Sequence, residues 1–380
     1  MTPPISQFDR NGKPKTAPRL TILIVNHAGW PDVVALVDSL ARSASYDKGT
    51  CEIVVVDNAS PGPIPRSIAD CTHPRFRLIL REINGGFAAG VNTGWRASRG
   101  EWLLVLNPDI VASADLVEGV LERVEGYSKR KGRPAPGIVG FALRNVDGSH
   151  QPSVGVFPSL ARSVREQFIP RSRRKYQPPR RVRAGSVSWV TGACVLLNSE
   201  MMLDLGGMDE DFFLYHEEVA LCRRARWMGW DVEYDPTLAV VHAKPLQNRP
   251  ITPQMRVILR HSKLLYFRKY LPRSQFDALA AIVAAESRFR GFWARRGGNE
   301  VEAGAWRLIG EITRSLRDDF DTAPKGAAVL ELALAATESS TPGSRKHGGR
   351  VDRESPHAGP VLRGVDRRRQ ALDDRMEEVV

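Results

Sequence analysis

The sequence predicts an α/β fold on a mostly parallel sheet, followed by a C-terminal helical region. Three observations predict it. Short apolar runs recur between residues 20 and 106, the pattern of strands buried on both faces. Stretches of helical periodicity separate them, and strands alternating with helices form parallel sheets with right-handed crossovers. From Thr252 onward the patterning is helical, with interruptions, to about Ala336.

Leu20 to Asn26 is the first strand. Pro31 to Ala44 follows as a helix, with Val33, Val34, Leu36, Val37 and Leu40 on one side and Pro31 in the first turn. Glu52 to Asn58 is the second strand, and Ala59-Ser60-Pro61-Gly62-Pro63 a turn. Phe76 to Leu80 is the third strand. Asn84-Gly85-Gly86 opens a helix that runs to about Ser98. Trp102 to Leu106 is the fourth strand, stopped by Pro108, which cannot donate to a ladder. A helix from Ser113 to about Lys129 comes next.

Gly137 to Leu143 reads as a strand, and Asn145-Val146-Asp147-Gly148 as a tight turn. Residues 161–184 hold nine arginines and lysines against Glu166, with Pro170, Pro178 and Pro179. That segment reads as a mobile loop, either a solvated linker or a flap for a diphosphate or an anionic membrane. Val187 to Leu197 is expected as a strand. Glu217 to Met228 is expected as a helix, with Val219, Leu221, Cys222 and Ala225 inward. Asp231 to Tyr234 and Ala239 to Val241 read as two short strands, the second ending at His242.

Thr252 and Pro253 suit an N-cap and first helical position. The helices break at Leu271-Pro272 and Gly297-Gly298. The first of them interleaves Met255, Ile258, Leu259 and Leu264 with Arg256, Arg260 and Lys263. Such a helix can lie on an anionic membrane or pack with its charges solvated. The expected organisation is a leader over 1–18, a catalytic domain over 19–245, a helical region over 246–338 and a disordered charged tail over 339–380.

A 380-residue chain with 42% hydrophobic and 26% charged residues is ordinary for a soluble globular protein. No apolar run approaches the roughly 18 residues that span a bilayer, and Met1 to Arg19 has no apolar signal core. A cytoplasmic protein is the expectation. Cys51, Cys71, Cys194 and Cys222 have no zinc or redox spacing and read as reduced thiols. The net charge of +12 fits phosphorylated small molecules or anionic lipid. No nucleic-acid module accompanies it, so nucleic acid is not an expected partner.

Polar residues finish three of the predicted strands: Asn26, Asp57-Asn58 and Asn107-Pro108-Asp109. In open α/β sheets ligands sit at that edge. There is no Walker motif, no Gly-x-Gly-x-x-Gly and no Gly-x-Ser-x-Gly elbow. What remains is a set of separated acids and one late imidazole: Asp57, Asp109, Glu217, Glu218 and His242. Moving a group off a nucleotide diphosphate needs such parts. One carboxylate recognises base or ribose, a metal neutralises the leaving diphosphate, and another carboxylate takes the acceptor's proton. Structural roles stand beside these: Asp57 and Asp109 as turn caps, Glu217 and Glu218 as first-turn acids complementing a helix dipole, His242 as a core residue.

Four blocks in order carry a resemblance. They are Ile24 to Trp30; Val55 to Ser60; Asn84 to Asn92 leading to Leu106-Asn107-Pro108-Asp109; and Thr191 to Cys194 leading through Gly206 to Phe213 and on to Glu217-Glu218. Together they make the stretch from Leu20 to His242 resemble the family 2 inverting glycosyltransferases, in their bacterial rhamnosyltransferase-like branch. The resemblance implies a GT-A fold, a Rossmann-like domain for nucleotide-diphospho-sugars, and a hexosyltransferase-type enzyme. It implies that Asp57 contacts the nucleobase, with Asn26, Asn58, Asn84, Asn92 and Asn107 also on the nucleotide-sugar side. It implies that Asp109 and His242 hold Mg²⁺ or Mn²⁺, and that Glu218, beside Glu217, is the catalytic base. Glu218 stands where the family usually has Asp, Ala220 where it often has Asp, and no serine follows His242.

The implied reaction moves a sugar, rhamnose above others, from dTDP-rhamnose or a UDP-sugar to a hydroxyl of a glycan or lipid-linked acceptor. Cell-surface polysaccharide synthesis at the inner membrane face, with peripheral attachment, is the implied setting. Two rival readings stay open from the residues: a sugar-nucleotide nucleotidyltransferase, and a non-catalytic nucleotide- or sugar-binding protein on the same fold.

Overall fold

A computed structural model describes residues 17–166, 183–244 and 250–337. The expected leader, all but its last two residues, most of the basic 161–184 segment and the 339–380 tail lie outside the described residues. The chain divides into two compact units. One runs to Pro250 and takes in Lys325–Ala327; the other holds Ile251–Pro324 and the residues from Ala328.

The first unit begins with β1 (Leu20–Asn26), α1 (Trp30–Leu40), α2 (Ala44–Asp47), β2 (Cys51–Asp57), α3 (Arg66–Ala69), β3 (Phe76–Leu80), α4 (Phe87–Ala97) and β4 (Trp102–Leu106). It continues with β5 (Ile110–Val111), α5 (Ala114–Ser128), β6 (Ile138–Arg144), β7 (His150–Gln151), β8 (Val154–Gly155) and α6 (Leu160–Glu166). It closes with β9 (Gly185–Ser186), β10 (Trp189–Val190), β11 (Cys194–Asn198), α7 (Ser199–Leu205), α8 (Glu217–Trp227) and β12 (Val232–His242).

The main sheet runs β3-β2-β1-β4-β11-β6-β12-β5, with β7 on β6 and β9 on β12. β3, β2, β1 and β4 are mutually parallel, and β12 is parallel to β6. Antiparallel β11 joins the two parallel parts. β1, β2, β4 and β11 are buried along their whole length, which is why they read as unbroken apolar runs.

Register builds the rim that the sequence suggested. Asn26 pairs with Asp57, and Ile24 with Leu106, so the polar ends of β1, β2 and β4 lie side by side.

Four expected elements differ in detail. The Pro31–Ala44 helix ends at Leu40, and the Ser43 side chain accepts the Ser45 amide to start α2. The strand expected over 187–197 is two. β10 leaves to pair with β8, and Trp189 lies where a side chain on Gly155 would meet its ring at 1.9 Å. The two strands expected over 231–241 are one, β12, with a register shift between Asp235 and Ala239 that takes up Pro236. The basic loop starts as helix α6, closed by an Arg162–Glu166 pair at 2.9 Å.

The second unit holds α9 (Pro253–Tyr270), α10 (Arg273–Arg296), α11 (Glu300–Asp318) and most of α12 (Ala327–Thr337). The Thr252 hydroxyl accepts the Met255 amide, and Pro253 occupies the first turn, as expected. Basic residues of α9 turn inward. Arg256 pairs with Glu302 at 3.1 Å and Arg260 with Glu286 at 2.9 Å, both beside the Trp306 ring.

All four cysteines are free thiols. Burial pushes Cys51, Cys194 and Cys222 up to about 12, so they stay protonated.

Glu52 opens β2, at the end of the strand away from Asp57, and its side chain is fully buried. Its oxygens accept from Thr21 Oγ1 (2.8 Å), the Arg99 amide (2.7 Å) and Arg77 Nη2 (3.0 Å), with Arg99 Nη2 at 2.7 Å. Removing one partner of a buried charge cluster costs about 3–5 kcal/mol. Arg77 and Arg99 are partly exposed and can turn to water, so Glu52→Ala is expected near the low end, about 3 kcal/mol. Urea denaturation reads this, while ligand binding per folded molecule should be unchanged.

Candidate functional site

The rim is organised around two asparagines. Asn26, fully buried, donates from Nδ2 to Asp57 Oδ1 (2.8 Å) and Ser60 Oγ (3.1 Å), and its Oδ1 accepts the Gly29 amide (3.0 Å). The Ser60 amide donates to Asp57 Oδ2 at 3.0 Å. Asp57 is thus held rigidly at the strand end. Ala28 and Ala59, each just past a strand, sit at φ 58° and 57°. Left-handed alanines are strained and persist where the surroundings fix them.

Asn58 is the second organiser. Its Nδ2 donates to Asn84 Oδ1 and to the Gly86 carbonyl, both at 2.9 Å, and its Oδ1 accepts from Arg81 Nη1 at 2.7 Å. Asn84 Oδ1 also accepts the Gly86 amide at 3.1 Å. These bonds shape the loop entering α4. Gly86 has φ 88°, and a Cβ there would fall 2.0 Å from the Phe213 carbonyl oxygen. Only glycine fits.

The Asp109 corner is assembled from distant segments. β5 pairs antiparallel with β12, placing Ile110 opposite His242. His242 Nε2 then lies 3.3 Å from Asp109 Oδ1, with both side chains largely buried. Asp109 Oδ2 accepts the Lys244 amide at 3.2 Å, and Lys244 Nζ reaches Asp32 at 2.7 Å. On the other side of the ring, Gln151 Nε2 is 3.0 Å from His242 Nδ1. Gln151 is brought there by the expected Asn145–Gly148 turn, which folds β7 back on β6.

Glu217 and Glu218 form the first turn of α8 and are 5% and 8% exposed. Tyr215 and His216 precede them, both at φ 70°, so two successive non-glycine residues are left-handed. The link Thr191-Gly192-Ala193 connects this corner to the rim. The Ala193 carbonyl accepts the Asn107 amide at 2.9 Å, and a Cβ on Gly192 would lie 3.2 Å from Phe87 and 3.8 Å from Glu218. Phe87 in turn donates its amide to the Phe213 carbonyl at 3.0 Å.

Asn92 stands apart from the other asparagines. It is 1% exposed, and its Nδ2 donates to the Met208 carbonyl (2.9 Å) and Glu210 (2.7 Å) while its Oδ1 accepts the Met208 amide (2.8 Å). Its amide clasps α4 to the loop before Glu217.

The structure therefore gathers Asn26, Asp57, Asn58 and Asn84 at one corner and Asp109 with His242 at another. Glu218 joins Asn107 through one short link. Sequence reasoning missed Arg81, Gln151 and Lys244. Each acts through tertiary proximity, and none has a local pattern that would single it out. The left-handed Tyr215 and His216 carry no sequence signal either.

Three comparisons bear on this arrangement. Residues 21–130 match the family described as Glycosyl transferase family 2. Among curated relatives, the N-acetylglucosaminyl-diphospho-decaprenol L-rhamnosyltransferase of Mycobacterium tuberculosis is 26% identical over 247 residues, covering 59% of this chain and 76% of that protein. Rhamnosyltransferase WbbL of Escherichia coli is 24% identical, covering 69% of this chain and 98% of its own length. Among solved structures, the mannosyltransferase PcManGT from Pyrobaculum calidifontis, in complex with GDP-Man and Mn²⁺, aligns at TM-score 0.44 and 18% identity over 86% of this chain and 88% of that one.

Proposed function

We propose, from the premise that this chain is a family 2 glycosyltransferase of the rhamnosyltransferase-like branch on a GT-A fold, that it moves a rhamnosyl group with inversion. The donor is a nucleotide-diphospho-rhamnose and the acceptor a hydroxyl of a lipid-linked or growing glycan. The names of the two rhamnosyltransferase relatives support the sugar, and the decaprenyl-diphosphate in one of them supports the acceptor class. The observation that carries the reading is the shared edge. Asp57 ends β2, His242 ends β12, Asp109 precedes β5 and Glu218 lies in the first turn of α8, and the strand register and the Asn107–Ala193 bond link these segments.

The residues present fit a divalent cation. One carboxylate and one imidazole face each other across 3.3 Å, an oxygen and nitrogen set suited to Mn²⁺ or Mg²⁺. Among the described residues no third His, Cys, Asp or Glu completes a cluster. Asp109 and His242 would hold such an ion, and when bound it would supply charge neutralisation for a departing diphosphate.

The chain's own residues do the rest. Asp57, fixed by Asn26 and Ser60, accepts hydrogen bonds from the base. Gln151 orients the His242 ring from its far nitrogen. Glu218 removes the acceptor hydroxyl's proton as that oxygen attacks the anomeric carbon and the bond to the diphosphate breaks.

Calorimetric titration with UDP and dTDP, each with and without Mn²⁺, tests this. Metal-dependent binding, reduced at least about tenfold by Asp57→Ala for the loss of one or two charge-assisted hydrogen bonds, is expected. Absence of binding to either nucleotide by folded protein would remove the proposed donor site.

A further inference from the structure

A second surface lies within the helical unit. Gly291 and Ser287 of α10 face α11, where a Cβ on Gly291 would meet Trp306 Cβ at 3.4 Å and one on Gly310 would meet Ser287 Oγ at 3.1 Å. The two helices run close along this seam. Beside it they leave a groove of about 250 Å³, lined by Arg288 and Arg295 of α10 and by Arg307 and Arg314 of α11. Among the described residues none of these four guanidiniums is ion-paired. Glu311 is the carboxylate among the lining residues.

Next to the groove on α10 is an exposed aromatic stripe. Phe289, Phe292 and Trp293 are 66%, 52% and 54% exposed, and Ile282 lies two turns earlier on the same side. Their spacing puts them on one face, with Phe292 and Trp293 edge to face at 5.6 Å. The stretch from Arg288 to Arg296 carries four arginines and no acid. Arg290 spends its charge on Glu286 at 3.2 Å; the others flank the aromatics.

We infer that this face of α10, with the arginine groove beside it, docks on an anionic lipid bilayer. Charge complementarity and the neighbouring aromatics select that partner. Unpaired guanidiniums suit phosphate-bearing headgroups, and exposed Phe and Trp suit the boundary between headgroups and acyl chains. A soluble polyanion would use the charges and leave the aromatics in water. The inward-turned arginines of α9 leave α10 as the helix that presents both features. No helix among the described residues is long and apolar enough to cross a membrane, so the contact is peripheral. The inference does not depend on the donor site.

The test is sedimentation of the full chain with vesicles of phosphatidylcholine, alone or with about one third phosphatidylglycerol. Salt-sensitive binding to the anionic vesicles is expected. The double variant Phe292→Ser, Trp293→Ser should weaken it at least tenfold, as losing about two buried aromatic contacts implies. The double variant Arg288→Gln, Arg295→Gln should weaken it by about tenfold or more. Both pairs sit at exposed positions, and matched thermal unfolding checks the fold. Equal binding by wild type and both variants would overturn the inference. So would self-association through this face, seen as a dimer that the aromatic variant splits, without vesicle binding.

Discussion

Glu218→Gln is expected to lower the turnover of sugar transfer by about 10²–10⁴, the usual worth of a general base. Donor nucleotide affinity should stay nearly unchanged, because a base in the proposed role acts on the acceptor in the transition state. Gln fills the same volume, so the first turn of α8 and the buried surroundings of Glu218 are kept. Assay of released nucleotide diphosphate against acceptor concentration reads the effect. Glu217→Gln is the informative partner. It shares the helix turn, the burial and the dipole, so a purely structural role would make the two variants alike. Normal turnover in Glu218→Gln, with loss in Glu217→Gln, would move the base by one residue. Glu218→Asp is expected to fall between wild type and Gln, since the carboxylate is retained but withdrawn by one methylene.

The second large effect is at Asp109. Asp109→Ala should remove the gain in nucleotide affinity that Mn²⁺ gives and lower turnover by about 10²–10³. That is several kcal/mol of charge stabilisation at 1.36 kcal/mol per tenfold. The fold should survive. The Ala243 amide bonds to the Asp109 backbone carbonyl at 2.9 Å, and this bond does not need the side chain. Unchanged far-UV circular dichroism with lost metal dependence is the expected pair of results. Metal-dependent binding that persists in Asp109→Ala would separate this carboxylate from the cation. Replacing Gln151, which orients His242, is a milder change of about 10–100-fold in metal affinity.

The strands were legible because β1, β2 and β4 are buried on both faces and therefore unbroken in hydrophobicity. That same uniformity hid the direction of β11, since a buried run reads alike parallel or antiparallel. The rim was legible because polar residues end apolar runs. The Asp109–His242 meeting was implied by resemblance alone, because a two-residue strand leaves no pattern. Gln151 was not legible at all. Its turn was, but the identity of the ring it faces depends on how β6 and β12 pair. Asn92 was legible as part of a family block, while its bonds to Met208 and Glu210 depend on how α4 packs on a distant loop.

β5 is held to β12 by the pairs Val111–Val241 and Ile110–His242. Edge pairings this short open by local fluctuation at far lower free energy than the body of a sheet. His242 is part of that clasp and Asp109 lies next to it. Whether the two face each other is therefore a local equilibrium, separate from the equilibrium between folded and unfolded chain. A substitution that weakens β5 is expected to part Asp109 from His242 in a fraction of the population at any instant while the melting temperature stays where it was. A bound donor, by bridging the two sides, would close the clasp and slow amide exchange there first.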